Sequence, residues 1–227
     1  MIHPKYININ RILGAMTFLI SFIVYFDTMA PSVSYWDCGE FIAVSYTLGV
    51  PHPPGSPLFL LLGRIASMLP ISEDIAFRVN LLSPLASAFS VLFLYFIIVQ
   101  LVNHWRGKIE TNTDALIAFG AGIVGSLTFA FTDSHWFNAV EAEVYAFSTF
   151  FTAIVVWLAL LWSEKADEKG NERYILIIAY MIGLATGLHL LNLLTIPFVA
   201  LLIYFKKYKF EWTSFSLLVV VTGFVFF

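Results

Sequence analysis

Long apolar runs recur along this chain, broken by short polar connections. A spanning helix needs about 20 mostly apolar residues, and runs of that kind lie near 12–28, 81–103, 115–132 and 142–162. The apolar stretch 174–205 is too long for one upright helix and short for two full spans. A hairpin of two short spans, 174–188 and 193–205, turning at His189 to Asn192, fits it better. A seventh span is expected at 213–227, where the sequence stops inside an apolar run, so a fragment of a longer protein is expected. Lys5 and Arg11 ahead of the first run mimic a secretory signal, but Pro31 after Thr28-Met29-Ala30 hinders cleavage and favours an uncleaved span. The pattern predicts an all-α, polytopic helical bundle.

One connection is long. Residues 29–80 form an outer loop, whereas the other connections are about ten residues or fewer, and loops of that length usually carry function. Ser34-Tyr35-Trp36-Asp37 has the S-x-x-D form of a capping box, followed by Phe41, Val44 and Leu48 on one helical face until Gly49 and Pro51. Ser56 to Leu69 reads as a second short helix between Pro53-Pro54-Gly55 and Pro70, too short to span and suited to lying flat. The loop is thus two interfacial helices joined by the stiff corner Pro51-His52-Pro53-Pro54-Gly55. Elsewhere Gly183/Gly187, Ala121/Gly125 and Gly122/Ser126 are small pairs four apart, and Ser83, Ser87 and Ser90 share a face, all signs of close helix packing. There is no internal repeat of the kind that builds duplicated transporters.

Composition agrees with this reading. The 227 residues are 59% hydrophobic and 12% charged, with a mean hydropathy of +0.84. The formal net charge of −3 leaves no basic surface for nucleic acid. The single cysteine, Cys38, excludes an internal disulfide and any multi-cysteine metal site. Of the 12 Lys and Arg residues, only Arg64 and Arg78 fall on the outer side of this span map. Lys5, Arg11, Arg106, Lys108, Lys165, Lys169, Arg173, Lys206, Lys207 and Lys209 fall on the other, which the positive-inside rule makes cytoplasmic, with the N-terminus.

The outer side is therefore acidic, and the candidate chemistry gathers there. Asp37 either caps its own helix or serves as a general base at the membrane edge, where desolvation raises a carboxylate pKa. Glu40 shares its face and is the second catalytic candidate: it either tunes Asp37, binds substrate or is only solvated. His52 in the proline corner is placed to donate to a phosphate or hydroxyl. Arg78 either snorkels or binds an anionic group. Glu141 and Glu143, two apart at the top of the third and fourth spans, point to different faces, so at most one is expected to meet Asp37. His189 and Asn192 form a polar spot at the hairpin tip. The histidines His52, His135 and His189 have no metal-ligand spacing, so no metal is expected, and no phosphate-cradling Gly-rich loop or G-x-S-x-G is present.

The stretch YWDCGEFIAVSYTLGVPHPPGSPLFLLLGRIASMLP resembles the signature of a bacterial family of multi-span proteins with an animal relative, an endoplasmic-reticulum protein O-mannosyltransferase. Its W-D-x-G-E and P-H-P-P-G elements carry the similarity, which continues weakly through FNAVEAEVYAF and GLATGLHLLNLL. The resemblance implies a GT-C-type glycosyltransferase architecture. It implies transfer with inversion from a polyprenyl-phosphate-linked sugar, without a nucleotide sugar or obligatory cofactor, to an exported protein acceptor. By position, Asp37 matches the catalytic acidic residue of the first outer loop, the expected general base, and Arg78 resembles the arginine that holds the donor phosphate. The implied setting is a bacterial inner membrane with the active site on the periplasmic side, where envelope or secretion-associated proteins are possible partners. Two other readings remain: a transporter or flippase for a lipid-linked substrate, and a non-enzymatic membrane subunit of an envelope assembly.

Overall fold

The computed structural model describes residues 3–223. All regular elements among them are helical. In chain order these are α1 (Pro4–Thr28), α2 (Cys38–Thr47), α3 (Pro57–Ser67), α4 (Ile75–Asn80), α5 (Leu82–Arg106), α6 (Asn112–Ala130), α7 (Asp133–Ala139), α8 (Val144–Lys165), α9 (Glu172–Thr186), a 3₁₀ turn (Leu190–Leu194), α10 (Thr195–Lys207) and α11 (Trp212–Gly223). Five helices are long and apolar enough to cross a membrane: Pro4–Thr28, Ile75–Arg106, Asn112–Ala130, Val144–Lys165 and Leu190–Lys207. The protein is a multi-pass membrane protein.

Helix α5 is the axis of the bundle, packed against α1, α6 and α8, while α8 in turn carries α9 and α10. Small residues let these helices approach. Ser83, Ser87 and Ser90 are fully buried on α5. A Cβ on Gly122 of α6 would lie 2.8 Å from the Tyr95 ring and from Val99, and one on Gly125 would lie 2.6 Å from Ile98. On α1, Ile12, Met16, Leu19 and Ile23 face outward instead, as a lipid-facing stripe must. Gly183 departs from the expected close pair: nothing lies within 4 Å of its added Cβ, and it borders an open apolar groove between α9 and α10.

Several boundaries differ from the sequence reading. The first span starts at Pro4 rather than near 12, because Pro4 suits the first helical turn and the His3 Nδ1 accepts from the Lys5 amide at 3.3 Å. The 174–205 stretch does fold back at His189, yet α9 has only 15 residues and is shorter than a full span. The proposed seventh span corresponds to α11 up to Gly223; its remaining residues lie outside the described ones. The largest correction is at the capping box. Ser34 does not cap; its Oγ donates to Glu141 Oε2 at 2.5 Å. Instead α2 begins at Cys38 with Asp37 as N-cap residue, and the Asp37 side chain makes no capping bond.

The outer loop is fastened to the bundle at three points. The buried Asn80 Nδ2 donates to the carbonyls of Ala30 and Ser32, both at 2.8 Å. Ser56 Oγ donates to the Leu188 carbonyl at 2.9 Å, and the Leu58 amide donates to the Gly187 carbonyl at 2.9 Å. Each buried bond of this kind contributes about 1 kcal/mol. Phe41 and Phe59, both buried, bring α2 and α3 together with ring centroids 5.3 Å apart.

The α2–α3 crossing depends on Gly63. A Cβ there would lie 2.8 Å from Ser45 Cβ and closer still to its Oγ, so backbone must move. Gly63→Ala is expected to destabilise the protein by about 1–3 kcal/mol, seen as a lower melting temperature of the detergent-solubilised protein. An unchanged melting temperature would show that α2 moves freely over α3.

Candidate functional site

The turn before α2 sets the site. Trp36 has φ of +57°, a left-handed conformation that is uncommon for an aromatic residue. The next residue is Asp37, free of any cap bond, its side chain 58% exposed. At the other end of α2, Leu48 also adopts a left-handed conformation, with φ of +54°. The chain then doubles back so that the proline corner returns to the helix. There Glu40 holds His52 twice, accepting from its backbone amide at 2.7 Å and meeting its Nδ1 at 2.7 Å. This fixes the imidazole with Nε2 3.9 Å from Asp37 Oδ2.

Glu143 comes to the same place from the bundle. It is the N-cap residue of α8, with extended backbone (φ −130°, ψ 147°), and its amide donates to Ser83 Oγ on α5 at 3.4 Å. Cys38 Sγ donates to Glu143 Oε1 at 3.7 Å. Residues 140–143 are not helical, which overturns the expectation that only one of Glu141 and Glu143 meets Asp37. The chain bends at Val140, Glu141 and Ala142, and Glu143 is extended, so the helical spacing of faces does not apply there. Both are buried, and both line a cavity of about 210 Å³ with Asp37, Asn138 and Tyr145. A smaller adjoining recess of about 50 Å³ is bounded by Asp37, His52, Glu143, Tyr145 and His189.

The two clefts share Asp37, Glu143 and Tyr145, so one site holds Asp37, Glu40, His52, Glu141, Glu143 and His189. Two expected residues stand apart. Arg78 donates through Nε to the Ser72 carbonyl at 2.6 Å and through Nη1 to the Ser67 carbonyl at 2.7 Å, and it does not line either cleft. Asn192 is buried, donates to the carbonyls of Ala185 and His189, and accepts from Thr152 Oγ1 at 3.3 Å; it holds the turn that carries His189. Tyr145 in the cleft was not anticipated, nor were the bonds of Ser34 to Glu141 and of Cys38 to Glu143. Only Tyr145 carried a signal, since it lies on the first turn after Glu143.

The electrostatics are lopsided. Among the described residues none of these carboxylates pairs with Lys or Arg; His52 is the ionic partner of Asp37 and Glu40. Its hydrogen bond to Glu40 raises the His52 pKa and lowers that of Glu40, favouring the charged pair. Burial, then the charges of Asp37 and Glu141, push Glu143 up to about 7. Burial and the same glutamates push the Cys38 thiol well up, keeping it protonated as a donor. Burial lowers the pKa of His189. His135 is no part of the site. It is buried against Phe129, with ring centroids 4.3 Å apart, and its pKa falls to about 4, so it is a neutral core residue. Asp37, Glu40 and His52 each offer a ligand atom within 4.8 Å of the others. They fit a divalent cation by spacing, although Glu40 and His52 already satisfy one another.

Arg78→Gln tests the placement of the guanidinium. Loss of two charge-assisted bonds to loop carbonyls is expected to cost about 2–4 kcal/mol, read as a lower melting temperature. A variant that keeps its melting temperature but loses donor binding would instead return Arg78 to the site.

Fold and site together define a class: a multi-pass helical membrane protein with an acidic, histidine-bearing cleft at one end of its bundle. The chain belongs to the family described as the protein O-mannosyl-transferase TMEM260 N-terminal domain, whose profile matches residues 37–212. It is 31% identical over 198 residues to protein O-mannosyl-transferase tmem260 of Dictyostelium discoideum, covering 81% of this chain and 22% of that protein. It is 29% identical over 162 residues to protein O-mannosyl-transferase TMEM260 of Mus musculus, covering 71% of this chain and 21% of that one. The chain thus spans about a fifth of the length of these curated relatives. No solved structure matches it.

Proposed function

We propose that this chain carries the catalytic cleft of a membrane glycosyltransferase that moves a mannose-like sugar from a polyprenyl-phosphate carrier to Ser or Thr hydroxyls of exported proteins. The observation that carries the reading is the convergence of Asp37, Glu143 and the Glu40-held His52 on one cleft at an end of the bundle. The names of the relatives, protein O-mannosyl-transferases, support the choice of sugar and acceptor.

In this reading the acceptor oxygen attacks the anomeric carbon, forming the new C–O bond with inversion. The bond from that carbon to the phosphate oxygen breaks, and its electron pair leaves with the polyprenyl phosphate. The hydroxyl proton passes to Asp37, whose exposed carboxylate is open to an incoming acceptor. His52, kept charged by Glu40, offers Nε2–H to the departing phosphate. Glu40 acts through His52 as a positioning residue. The excess of Lys and Arg at the other end of the bundle supports a cytoplasmic N-terminus and a cleft on the outer, periplasmic side of a bacterial inner membrane, where an exported acceptor and the carrier headgroup meet.

The test is sugar transfer in membranes carrying the full-length protein, with labelled mannose supplied either on polyprenyl phosphate or on a nucleotide. Labelled Ser/Thr acceptor from the lipid-linked donor alone is the expected result. Label from the nucleotide donor alone, or labelled lipid crossing the bilayer without acceptor modification, would overturn the reading and favour another transferase or a flippase.

A further inference from the structure

A second polar cavity lies at the opposite end of the bundle, between α1, α5 and α8. Its volume is about 230 Å³, and its polar lining is Asn10, Arg11, Gln100, Asn103 and Glu164. Glu164 lies near the C-terminal end of α8 and Glu143 caps its N-terminus, so at 1.5 Å per residue the two sites are about 30 Å apart. Phe96 and Trp157 form apolar walls.

The polar groups in it are uncommitted. Asn103 is 7% exposed, and its Oδ1 lacks a hydrogen-bond partner, as do Asn10 Oδ1 and both Gln100 Oε1 and Nε2. Unsatisfied buried polar atoms are costly and uncommon in native proteins; these four belong to three residues that line this one cavity. The two charges at the rim are also free: among the described residues neither Arg11 nor Glu164 forms an ion pair.

We propose that this cavity binds a phosphoethanolamine headgroup, with the phosphate on Arg11 and the ammonium on Glu164 and the amide oxygens. The charge pattern selects a zwitterion, because Glu164 repels a purely anionic ligand and Arg11 a purely cationic one. The orphan oxygens select a primary ammonium. Its three N–H donors can serve Glu164 and two of the amide oxygens, whereas a choline headgroup has no donor and would leave them all unpaired. The source is a membrane phospholipid. Its chains would leave along the adjoining cleft of about 210 Å³, where Leu101, Leu160 and Leu202 supply apolar contact.

Native mass spectrometry of the detergent-purified full chain tests this, with phosphatidylethanolamine, phosphatidylcholine and phosphatidylglycerol of matched acyl chains, and with soluble glycerophosphoethanolamine. Wild type is expected to retain phosphatidylethanolamine at least tenfold better than the other two lipids. Glu164→Gln should erase that preference, and Gln100→Leu should weaken retention about tenfold. Arg173→Gln, at the same end but stacked on Tyr174, should leave both unchanged. If Gln100→Leu does not fold, the exposed Glu164→Gln change still decides. Equal retention of all three lipids, or none, would overturn the proposal in favour of a hydrated cavity. Saturable binding of the soluble headgroup with no lipid retained would overturn the membrane source.

Discussion

Asp37→Asn in the full-length protein is expected to lower sugar transfer by about 10²–10⁴-fold, the range for losing a positioned general base, with little change in melting temperature. The two halves of this result come from one observation. Asp37 occupies the N-cap position of α2 but gives no capping hydrogen bond, so its removal spares the cost of about 0.5–2 kcal/mol that a working cap would carry. The amide keeps the shape of the carboxylate and removes only its basicity and charge. A melting temperature that falls with activity in proportion would make Asp37 a structural residue. Unchanged transfer would move the base to Glu143, whose cavity Asp37 shares. The substitution has a second readout. The Asp37 charge helps hold the Glu143 pKa up, so Glu143 should titrate at lower pH in the variant, a shift visible by carboxyl-resolved infrared or NMR spectroscopy.

How much of this was legible in the sequence depends on the scale of the interaction. The helical class, the two loop helices and the fold-back at His189 follow from apolar period and proline placement, which are local signals. Asp37, Glu40 and His52 were legible as chemistry because polar groups are conspicuous in a chain of this hydropathy. Their geometry was not. The capping box at Ser34 was a sound local pattern that a long-range bond to Glu141 displaced. The rule that separates Glu141 from Glu143 holds only for helical backbone, and the chain bends there before α8 begins. Arg78 differs: an outer-side arginine invites an anionic ligand, while in the fold its guanidinium meets carbonyls of its own loop. The unpaired amides of Asn10, Gln100 and Asn103 could not be singled out beforehand, since their meeting depends on how α1 lies on α5.

Glu143→Gln is expected to do the opposite of most substitutions at a buried site, raising stability above neutral pH while lowering transfer. The sign follows from linkage. Glu143 has its pKa raised from an ordinary 4.5 to about 7 in the folded protein. Below about pH 4.5 the carboxyl is protonated in both states and contributes nothing to pH dependence. Between 4.5 and 7 the unfolded chain ionises while the folded protein resists, so stability falls as pH rises. Above 7 both are ionised and the full cost, roughly 3 kcal/mol, is present. Glutamine removes that cost and can still accept from Cys38 as Glu143 does. The variant should therefore melt higher than wild type at pH 8 and about equally at pH 5. Transfer should fall because the change removes one of the carboxylates that line the cleft with Asp37. Melting curves at the two pH values are the check. A variant less stable than wild type at pH 8 would mean that the Glu143 charge is compensated by a partner in the cleft, and the Asp37, Glu40 and His52 ligand atoms within 4.8 Å of one another would then be the place to look for a bound cation.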